Sequence, residues 1–409
     1  MRPPLLLLCH RIPYPPNKGD KIRSYHLLQN LRKKYKIFLG AFIDDKSDLE
    51  YADQVKSWCE DVCLVELHPF LAKFRSLTGF LKAQPLTLPY YHDSRLNGWI
   101  QSAIAHNKIE RFCVCSSSMA QYVIDDRYSS AQRIIDFIDV DSDKWRQYAA
   151  TKPWPFNWVY SREAKYLLKF ETKVASCFDV SFFVSKAEAD LFRQVSPVAR
   201  YKIKNYTNGV DSVYFSPSLS FYNPYSRNEI VLLFVGTMDY WPNIDAAIWF
   251  GKKVFPRILA KKPTVRLYIV GRHPTAGVCR LGKCPGVKVT GSVSDVRPYL
   301  KHAAIVVAPM RIGRGIQNKV LEGMAMAKSV IASRSAIAGL EVAIGKDILV
   351  ADNEDEFYKQ ALSLLENGII DIGNNARYRV CHNYNWDNQL SCVSRYIENK
   401  VNGRKRREL

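Results

Sequence analysis

Lys319 and Glu322 are the residues of this chain whose types and spacing best suit chemistry, because on a helix they would lie one turn apart. An apolar run of strand length precedes them at residues 303–309, and the glycine-bearing turn Gly313-Arg-Gly315 follows that run. We predict that a helix begins near Gln317. The order is therefore strand, turn and helix, with a cation and a carboxylate on one side of the helix.

Positive charge is concentrated around this predicted helix start. Arg311, Arg314 and Lys319 flank it, and the free backbone N–H groups of a helix start also favour an anion. We therefore predict a diphosphate site, beside which the Glu322 carboxylate could accept hydrogen bonds from the hydroxyls of a ribose. Together these features indicate a nucleotide-sugar site, and an ordinary surface helix is the alternative. The predicted donor contacts are Glu322, Lys319, Arg314, Arg311, Gly315, Gln317, Asn318, Gly236 and Gly271.

The length and the element pattern predict two domains. A chain of 409 residues exceeds the usual size of one hydrophobic core. Strand-like and helix-like stretches alternate in both halves, on either side of a polar linker near residues 210–228. The predicted fold class is α/β, with two doubly wound, Rossmann-like parallel-sheet domains: residues 1–209, joined by a C-terminal helix at about 385–409, and residues 210–384. We expect the active site in a central cleft between them.

The hydrophobic pattern also locates individual elements. Strands are predicted at residues 5–9, 37–42, 62–66, 111–116, 133–138, 180–184, 230–235, 265–270, 287–290 and 305–308. Helices are predicted at about residues 20–34, 47–59 and 243–259, and from about residue 354 onward.

A net charge of +20 calls for a partner or surface that tolerates it. Nucleic acid is a poor candidate, because the basic residues are dispersed and no zinc-finger, RNP or basic-zipper pattern occurs. An anionic membrane face fits better, since residues 70–82 place apolar side chains at helical spacing with basic residues between them. The alternative is a helix packed on the domain core. The apolar residues are Phe70, Phe74, Leu77 and Leu81, and the basic ones are Lys73, Arg75 and Lys82.

The ten cysteines are scattered and contain no C-x-x-C, so neither a metal nor a disulfide framework is predicted. Cys113 and Cys115 alternate along a strand and are expected to be buried thiols. No apolar run approaches the ~18 residues of a membrane span, and residues 3–9 are too short for a signal peptide. We therefore expect a cytoplasmic location, with peripheral attachment to the inner face of the plasma membrane as a further option.

Two polar loops in the first half are further candidates. Gly19, after the first strand, permits a close backbone approach to an anion, and Lys18, Lys21 and Arg23 add charge there; a turn glycine with solvated lysines is the alternative. The second loop is Asp139-Val-Asp-Ser-Asp143. It fails as a calcium loop, because Lys144 and Ala150 stand where the turn glycine and the final glutamate belong.

Several motifs in order resemble the retaining glycosyltransferases of family 4, and most closely the exosortase/PEP-CTERM-associated exopolysaccharide sugar transferases. The resemblance implies the GT-B architecture and transfer of a hexosyl group, with retention, from a nucleoside diphosphate sugar to a hydroxyl. The basic surface and the helix predicted at residues 70–82 further suggest that this hydroxyl belongs to a lipid-linked saccharide. It implies no bound metal and no other cofactor. The motifs are Arg11-Ile-Pro-Tyr-Pro-Pro-Asn-Lys-Gly-Asp-Lys-Ile-Arg23, Leu86-Thr-Leu-Pro-Tyr-Tyr91, Asp136-Phe-Ile-Asp-Val-Asp-Ser-Asp-Lys-Trp145, Asn208-Gly-Val-Asp211, Phe234-Val-Gly-Thr-Met-Asp-Tyr-Trp-Pro-Asn243 and Arg314-Gly-Ile-Gln-Asn-Lys319.

The resemblance also implies roles for single residues. Lys319 and Arg314 would neutralise the leaving phosphate with Arg311, and Gly19 would contact the diphosphate or the reacting sugar. Lys18 and Arg23 would lie on the acceptor side. Asp139 stands near the place where many relatives have a histidine, so that sugar contact, acceptor activation, or helix capping by Asp141 or Ser142 remain open. The predicted catalytic set is Lys319, Arg314, Asp139 and Gly19.

This chain also departs from the pattern of family 4. Arg314 occupies the place of the first of two glutamates that the family usually has, which removes a carboxylate from the sugar pocket. Two other functions therefore stay open: a nucleotide-sugar epimerase of the same architecture, and a nucleotide-sugar binding protein that has lost catalysis.

Overall fold

The computed structural model describes residues 2–312, 316–367 and 370–405. The chain divides into two compact units. The first unit comprises the described residues of Met1–Thr207 and Leu390–Leu409, and the second comprises those of Asn208–Gln389.

Among the described residues, seven parallel strands form the sheet of the first unit, in the order β3-β2-β1-β4-β5-β6-β7. The interior strand β1 has the sequence PLLLLC and is buried over most of its length, because helices cover both faces of a parallel sheet. The strands are β1 (Pro4–Cys9), β2 (Lys36–Ile43), β3 (Asp61–Glu66), β4 (Arg111–Cys115), β5 (Gln132–Ile138), β6 (Val180–Phe183) and β7 (Ile203–Asn205).

The helices of the first unit lie in the connections between these strands. They are α1 (Gly19–Leu31), α2 (Ala52–Lys56), α3 (Pro69–Ser76), α4 (Thr78–Leu81), α5 (Thr87–Tyr90), α6 (Ser94–Asn107), α7 (Asp141–Thr151), α8 (Phe156–Cys177) and α9 (Lys186–Val195). Short 3-10 helices occupy Lys46–Tyr51, Ser117–Tyr122, Asp126–Tyr128 and Pro197–Lys202.

The sheet of the second unit has six parallel strands within the described ranges, in the order β10-β9-β8-β11-β12-β13. They are β8 (Ile230–Val235), β9 (Val265–Val270), β10 (Val287–Gly291), β11 (Ile305–Ala308), β12 (Ser329–Ala332) and β13 (Leu349–Val350). The helices are α10 (Trp241–Trp249), α11 (Phe255–Lys261), α12 (Ala276–Leu281), α13 (Arg297–His302), α14 (Asn318–Ala325), α15 (Glu354–Asn367) and α16 (Ile370–Asn383), and a π-helical turn, Phe250–Val254, joins α10 to α11.

A last helix, α17 (Trp386–Lys405), begins in the second unit and continues into the first at Leu390. Within the first unit its Leu390, Val393 and Ile397 side chains are buried. Ser394 Oγ donates a hydrogen bond to Asn30 Oδ1 of α1 at 3.0 Å.

The predicted pair of doubly wound parallel sheets is confirmed. In each sheet the strand order reverses once, between β1 and β4 and between β8 and β11, which is where ligands bind in such folds. β7, β12 and β13 were not predicted, and each of them is only two to four residues long.

Two predicted helices have a different form in the structure. The helix predicted at residues 47–59 is a 3-10 turn followed by the short α2. The amphipathic helix predicted at residues 70–82 is two short helices, α3 and α4, separated at Leu77.

Candidate functional site

The candidate site lies in the second unit, at the edge where β8 and β11 end side by side. β8 leads through Gly236 into α10, and β11 leads through Arg311 into α14. Two helices therefore begin beyond the carboxyl ends of adjacent strands, at the point where the strand order reverses.

Lys319 lies in the first turn of α14 and is buried. Its Nζ donates to Asn243 Oδ1 at 2.5 Å and lies 3.5 Å from Met310 Sδ. The ammonium also lies 5.0 Å from the centre of the Phe234 ring. Burial lowers the pKa of Lys319 to about 7, and the nearby Glu322 carboxylate only partly offsets this. The structure thus holds a poorly solvated cation between the segment that follows β8 and the segment that follows β11.

Glu322 lies one turn further along α14 and is half-buried. Burial raises the pKa of its carboxyl to about 7, against the opposing effect of Lys319. Within the part of the chain that the structure describes, this carboxylate has no side-chain hydrogen bond or ion pair. Each oxygen of a carboxylate accepts hydrogen bonds, which makes Glu322 a candidate for contact with ligand hydroxyls.

Asn243 is a site residue that the sequence reasoning missed. It lies in the first turn of α10, and its amide Nδ2 donates to Thr237 O at 3.0 Å while its Oδ1 accepts from Lys319. The amide packs against Gly236, where a Cβ atom would lie only 2.7 Å from Asn243 Nδ2. Asn243 therefore fixes the position of the Lys319 ammonium. A sequence signal exists in Trp241-Pro-Asn243, since proline marks the helix start.

Arg311 is placed at the same edge by an ion pair with Asp245 of α10. Its Nε donates to Asp245 Oδ2 at 3.0 Å, and a second bond joins Nη2 to Oδ1. The arginine side chain is half exposed, whereas Asp245 is more buried. This bidentate pair ties the β11 loop to α10, and Asp245 was not predicted from the sequence.

Gly236 and Gly271 lie where β8 and β9 end, and their backbones touch. A Cβ atom on Gly271 would lie 1.7 Å from the Gly236 carbonyl oxygen, so no side chain fits there. Gly236 N donates to Val270 O at 3.0 Å, and Gly271 N donates to Gly291 O at 3.2 Å. The strand ends thus expose backbone rather than side chains beside Asn243.

The remaining predicted donor residues lie around the start of α14. Gln317 precedes the helix and does not cap it with its side chain, and Asn318 is the first helical residue. Asn318 Oδ1 accepts a hydrogen bond from Asn208 Nδ2 at 3.1 Å. Arg314 and Gly315 lie outside the described residues.

In the first unit, one predicted acceptor contact has to be corrected. Arg23 is buried in the core, where its Nε donates to Asp136 Oδ2 at 2.6 Å and its guanidinium stacks on the Tyr206 ring. A side chain so enclosed holds α1 to the sheet and has no face for an acceptor. Gly19 is the exposed first residue of α1, and Lys18 Nζ lies 3.6 Å from Asp44 Oδ2.

A charged cluster at the end of β1 was not singled out from the sequence. Asp20 Oδ2 accepts from His10 Nε2 at 2.9 Å and from Arg11 Nη1 at 2.5 Å, and Arg11 Nε donates to Asp44 at 2.7 Å. Burial would raise the pKa of Asp20, but the bonds from His10 and Arg11 outweigh it and hold that pKa well below its usual range. The cluster lies at the reversal point of the first sheet.

Asp139 follows β5, and its Oδ2 lies 2.7 Å from Lys144 Nζ. The alternative of helix capping by Asp141 or Ser142 does not describe α7, because Val140 is the N-cap and no side chain caps it locally. Carboxylates from other helices serve instead: Glu188 accepts from Val140 N at 2.8 Å and Glu171 accepts from Ser142 N at 3.2 Å.

Three other expectations can be compared with the described residues. Cys113 and Cys115 are buried thiols. Over residues 2–312, 316–367 and 370–405, His, Cys, Asp and Glu side chains form no group of three or more that could hold a metal ion. Over the same residues, no helix is both long enough and apolar enough to span a bilayer.

Comparison with known proteins shows that part of the second unit resembles a described family. Residues 229–367 match the family model described as glycosyl transferases group 1. A curated relative, an uncharacterized 44.6 kDa protein in the cps region of Klebsiella pneumoniae, is 21% identical over an alignment of 407 residues; the match covers 95% of this chain and 98% of the relative.

Two solved structures illustrate the likeness of the fold. Sucrose-phosphate synthase from Thermosynechococcus elongatus superposes with a TM-score of 0.71 at 16% identity, over 98% of this chain and 100% of that one. Anabaena HepE in complex with UDP and glucose gives 0.68 at 14% identity, over 97% and 99%. The chain therefore has the GT-B fold, and the match over residues 229–367 supports a glycosyltransferase.

Proposed function

We propose that this protein is a retaining, family 4 type glycosyltransferase that moves a hexosyl group from a nucleoside diphosphate sugar to a hydroxyl of a lipid-linked saccharide. The observation that carries the proposal is the buried Lys319 ammonium, held by Asn243 beside the open Glu322 carboxylate at the sheet's reversal point. Both charged residues lie in the segment that matches the glycosyl transferases group 1 model.

The chemistry follows from the charges that develop during transfer. Cleavage of the glycosyl–phosphate bond leaves positive charge on the sugar and negative charge on the departing diphosphate. A preorganised cation stabilises that negative charge most where water is excluded, and Lys319 is such a cation. In this proposal Arg311 and Arg314 add positive charge, and the N–H groups at the start of α14 orient the phosphates.

Recognition of the nucleotide is assigned to Glu322 and the strand ends. The carboxylate would accept hydrogen bonds from the two ribose hydroxyls, while Gly236 and Gly271 let the ligand approach the backbone. HepE binds UDP, and a nucleotide donor for this chain is consistent with that likeness. We propose that no metal is needed, because basic side chains and a helix start supply the positive charge that a cation would bring.

The first unit would bind the acceptor, with Lys18 facing it, Gly19 near the reacting sugar, and Asp139 contacting a hydroxyl. The relative in the cps region supports a role in extracellular polysaccharide synthesis. A lipid-linked acceptor would place the protein at the cytoplasmic face of an anionic membrane, as a peripheral protein.

Two measurements test the proposal. A thermal-shift screen with UDP, GDP, ADP and dTDP identifies the nucleotide, and the matching sugar donors are then incubated with a lipid-linked saccharide. We expect a mass increase of one sugar in the acceptor, with NMR showing the donor's anomeric configuration in the product. Donor isomerisation without acceptor would indicate an epimerase instead, and nucleotide binding without turnover would indicate a binding protein.

A further inference from the structure

The first unit carries a large apolar surface on two segments that are distant in sequence. One segment is α3 and α4, and the other is the turn before α8 together with the first turn of that helix. Leu81 is 90% exposed and Trp154 is 80% exposed. We call this the aromatic–basic surface, and its exposed apolar residues include Phe70, Phe74, Leu77, Leu81, Trp154 and Phe156.

The two short helices α3 and α4 expose their large apolar side chains to solvent, unlike ordinary surface helices. Only Ala72 of α3 and Gly79 of α4 are buried, while the large apolar side chains face outward. Arg75, the basic residue of α3 nearest the core, points inward and donates to the carbonyl oxygens of Pro89 and Tyr90 at 2.6 and 2.7 Å. The usual arrangement buries the apolar face and exposes the polar one. The apolar face of α3 and α4 therefore needs another partner.

Arg162 of α8 ties the second segment to the first. Its Nη2 donates to Gly79 O at 2.7 Å and its Nη1 to Gln84 O at 3.2 Å. The Phe80 ring stacks on Trp158, with centroids 6.0 Å apart and planes 6° from parallel. The exposed aromatic residues before α8 are thus held beside α4.

Glu163 provides a second tie. Its carboxylate accepts from the backbone N–H groups of Leu86 and Thr87 at 2.6 and 3.0 Å, and it is buried. The turn that follows α4 is therefore fixed on α8. The two segments of the aromatic–basic surface are thus held together by defined hydrogen bonds.

The charge of the two segments has one sign. Residues 68–87 and 151–170 contain no acidic residue except Glu163, which is buried. Exposed lysines accompany the apolar residues: Lys73, Lys82, Lys152, Lys165 and Lys169. A surface with large apolar and aromatic side chains and only positive charge is complementary to the headgroup layer of an anionic bilayer.

We infer that the aromatic–basic surface enters the headgroup layer of anionic membranes, with Phe70, Phe74, Leu81 and Trp154 reaching the acyl boundary. The surrounding lysines pair with lipid headgroups while their stems cover apolar surface. The inference deepens the proposed function, because it names the part of the chain that would reach a lipid-linked acceptor. Vesicle binding can be measured without any transfer, so the two ideas can fail separately.

The test uses the full chain and vesicles of phosphatidylglycerol or phosphatidylcholine. We expect co-flotation with phosphatidylglycerol vesicles that weakens as salt rises from about 0.1 M to about 0.5 M. The double variant Leu81→Ser, Trp154→Ser should lower the partition coefficient at least tenfold. The double variant Lys73→Gln, Lys82→Gln should weaken binding to phosphatidylglycerol vesicles and leave binding to phosphatidylcholine vesicles unchanged.

Tyr201 supplies the matched control, because it is 74% exposed in the same unit and lies outside the surface. Tyr201→Ser should leave vesicle binding unchanged. Quenching by brominated lipid should fall in Trp154→Phe, which keeps an apolar ring but removes the fluorophore.

Three outcomes would overturn the inference: no binding to phosphatidylglycerol vesicles by protein that binds nucleotide, an equal loss of binding in Tyr201→Ser, or conversion of a dimer to a monomer in the double variant. The last would mean that a second copy covers the surface. Sugar transfer without vesicle binding would leave the proposed function standing, and vesicle binding without transfer would leave the surface standing.

Discussion

The positive charge of Lys319 and its burial oppose each other. The proposed role needs a cation, but the side chain is largely shielded from the water that would stabilise the charge. Its direct contacts are the Asn243 oxygen, the Met310 sulfur and the Phe234 ring, which are neutral, and the nearby Glu322 carboxylate offsets the loss of solvation only in part. Desolvation therefore lowers the pKa of Lys319 to about 7. An arriving diphosphate would supply the missing counter-charge and raise that pKa again.

Replacing Lys319 by methionine should lower kcat by about 10²–10³, because one preorganised charge on the leaving group is lost. Steady-state kinetics with the donor identified by thermal shift would measure this. Lys283→Met is the control, since Lys283 is an exposed lysine of the same unit, and its kcat should match the wild type. A Lys319→Met enzyme with unchanged kcat would contradict the assigned role.

Nucleoside diphosphate affinity should be greatest near pH 7. Above that pH Lys319 loses its proton and the site loses its cation, so affinity should fall by up to about tenfold per pH unit. Below it Glu322 gains a proton, and a neutral carboxyl group accepts hydrogen bonds from the ribose more weakly than a carboxylate does. Titration calorimetry across pH measures both limbs.

Two comparisons assign these limbs. The free nucleoside has no phosphate, so it should not show the alkaline fall. Glu322→Gln should remove the acidic limb that belongs to this carboxyl. An alkaline limb that is equally steep for the nucleoside would show that Lys319 is not its source.

At the scale of elements, α7 depends on acidic side chains from other helices. The carboxylate of Glu171 accepts from both the backbone N–H and the hydroxyl of Ser142, at the start of the helix. Burial raises the pKa of Glu171 to about 8, and the neighbouring Asp141 adds to this effect. A carboxyl with a raised pKa stabilises the fold most fully at low pH, and that stability is lost as pH rises.

Glu171→Gln should therefore flatten the pH dependence of the unfolding free energy between about pH 5 and pH 8. In the wild type one proton is bound in the folded state and absent in the unfolded state over this range, which gives a slope of about 1.4 kcal/mol per pH unit. Urea unfolding of both proteins at several pH values gives the difference. Parallel curves would mean that Glu171 is ionised throughout.

The structure explains why some residues could be predicted and others could not. Lys319 and Glu322 were found because they share one helix, where spacing along the sequence determines which residues are neighbours. Asn243 and Asp245 were not, because their approach to the β11 loop depends on β8 and β11 being adjacent in the sheet. Arg23 was misassigned for the same reason, since its partner Asp136 follows it by 113 residues.

On the scale of the whole molecule, every described residue that we assign to the donor site belongs to the second unit. Hydrogen exchange with the best-binding nucleoside diphosphate should therefore show its strongest protection at residues 236–245 and 316–323. The ligand would restrain the starts of α10 and α14 directly. Mass spectrometry of peptides with and without nucleotide measures this, and protection confined to the first unit would contradict the site.

Because of the path of α17, the C-terminal residues of the chain belong to the first unit, although they follow the second unit in the sequence. Its middle turns contact α1, the helix that begins at Gly19, through the hydrogen bond from Ser394 to Asn30. A deletion of the final 20 residues would thus destabilise the first unit. A fluorescent label fused at the carboxyl terminus would likewise report on the first unit. A truncation intended to isolate the first unit should therefore keep the C-terminal residues from Leu390 onward.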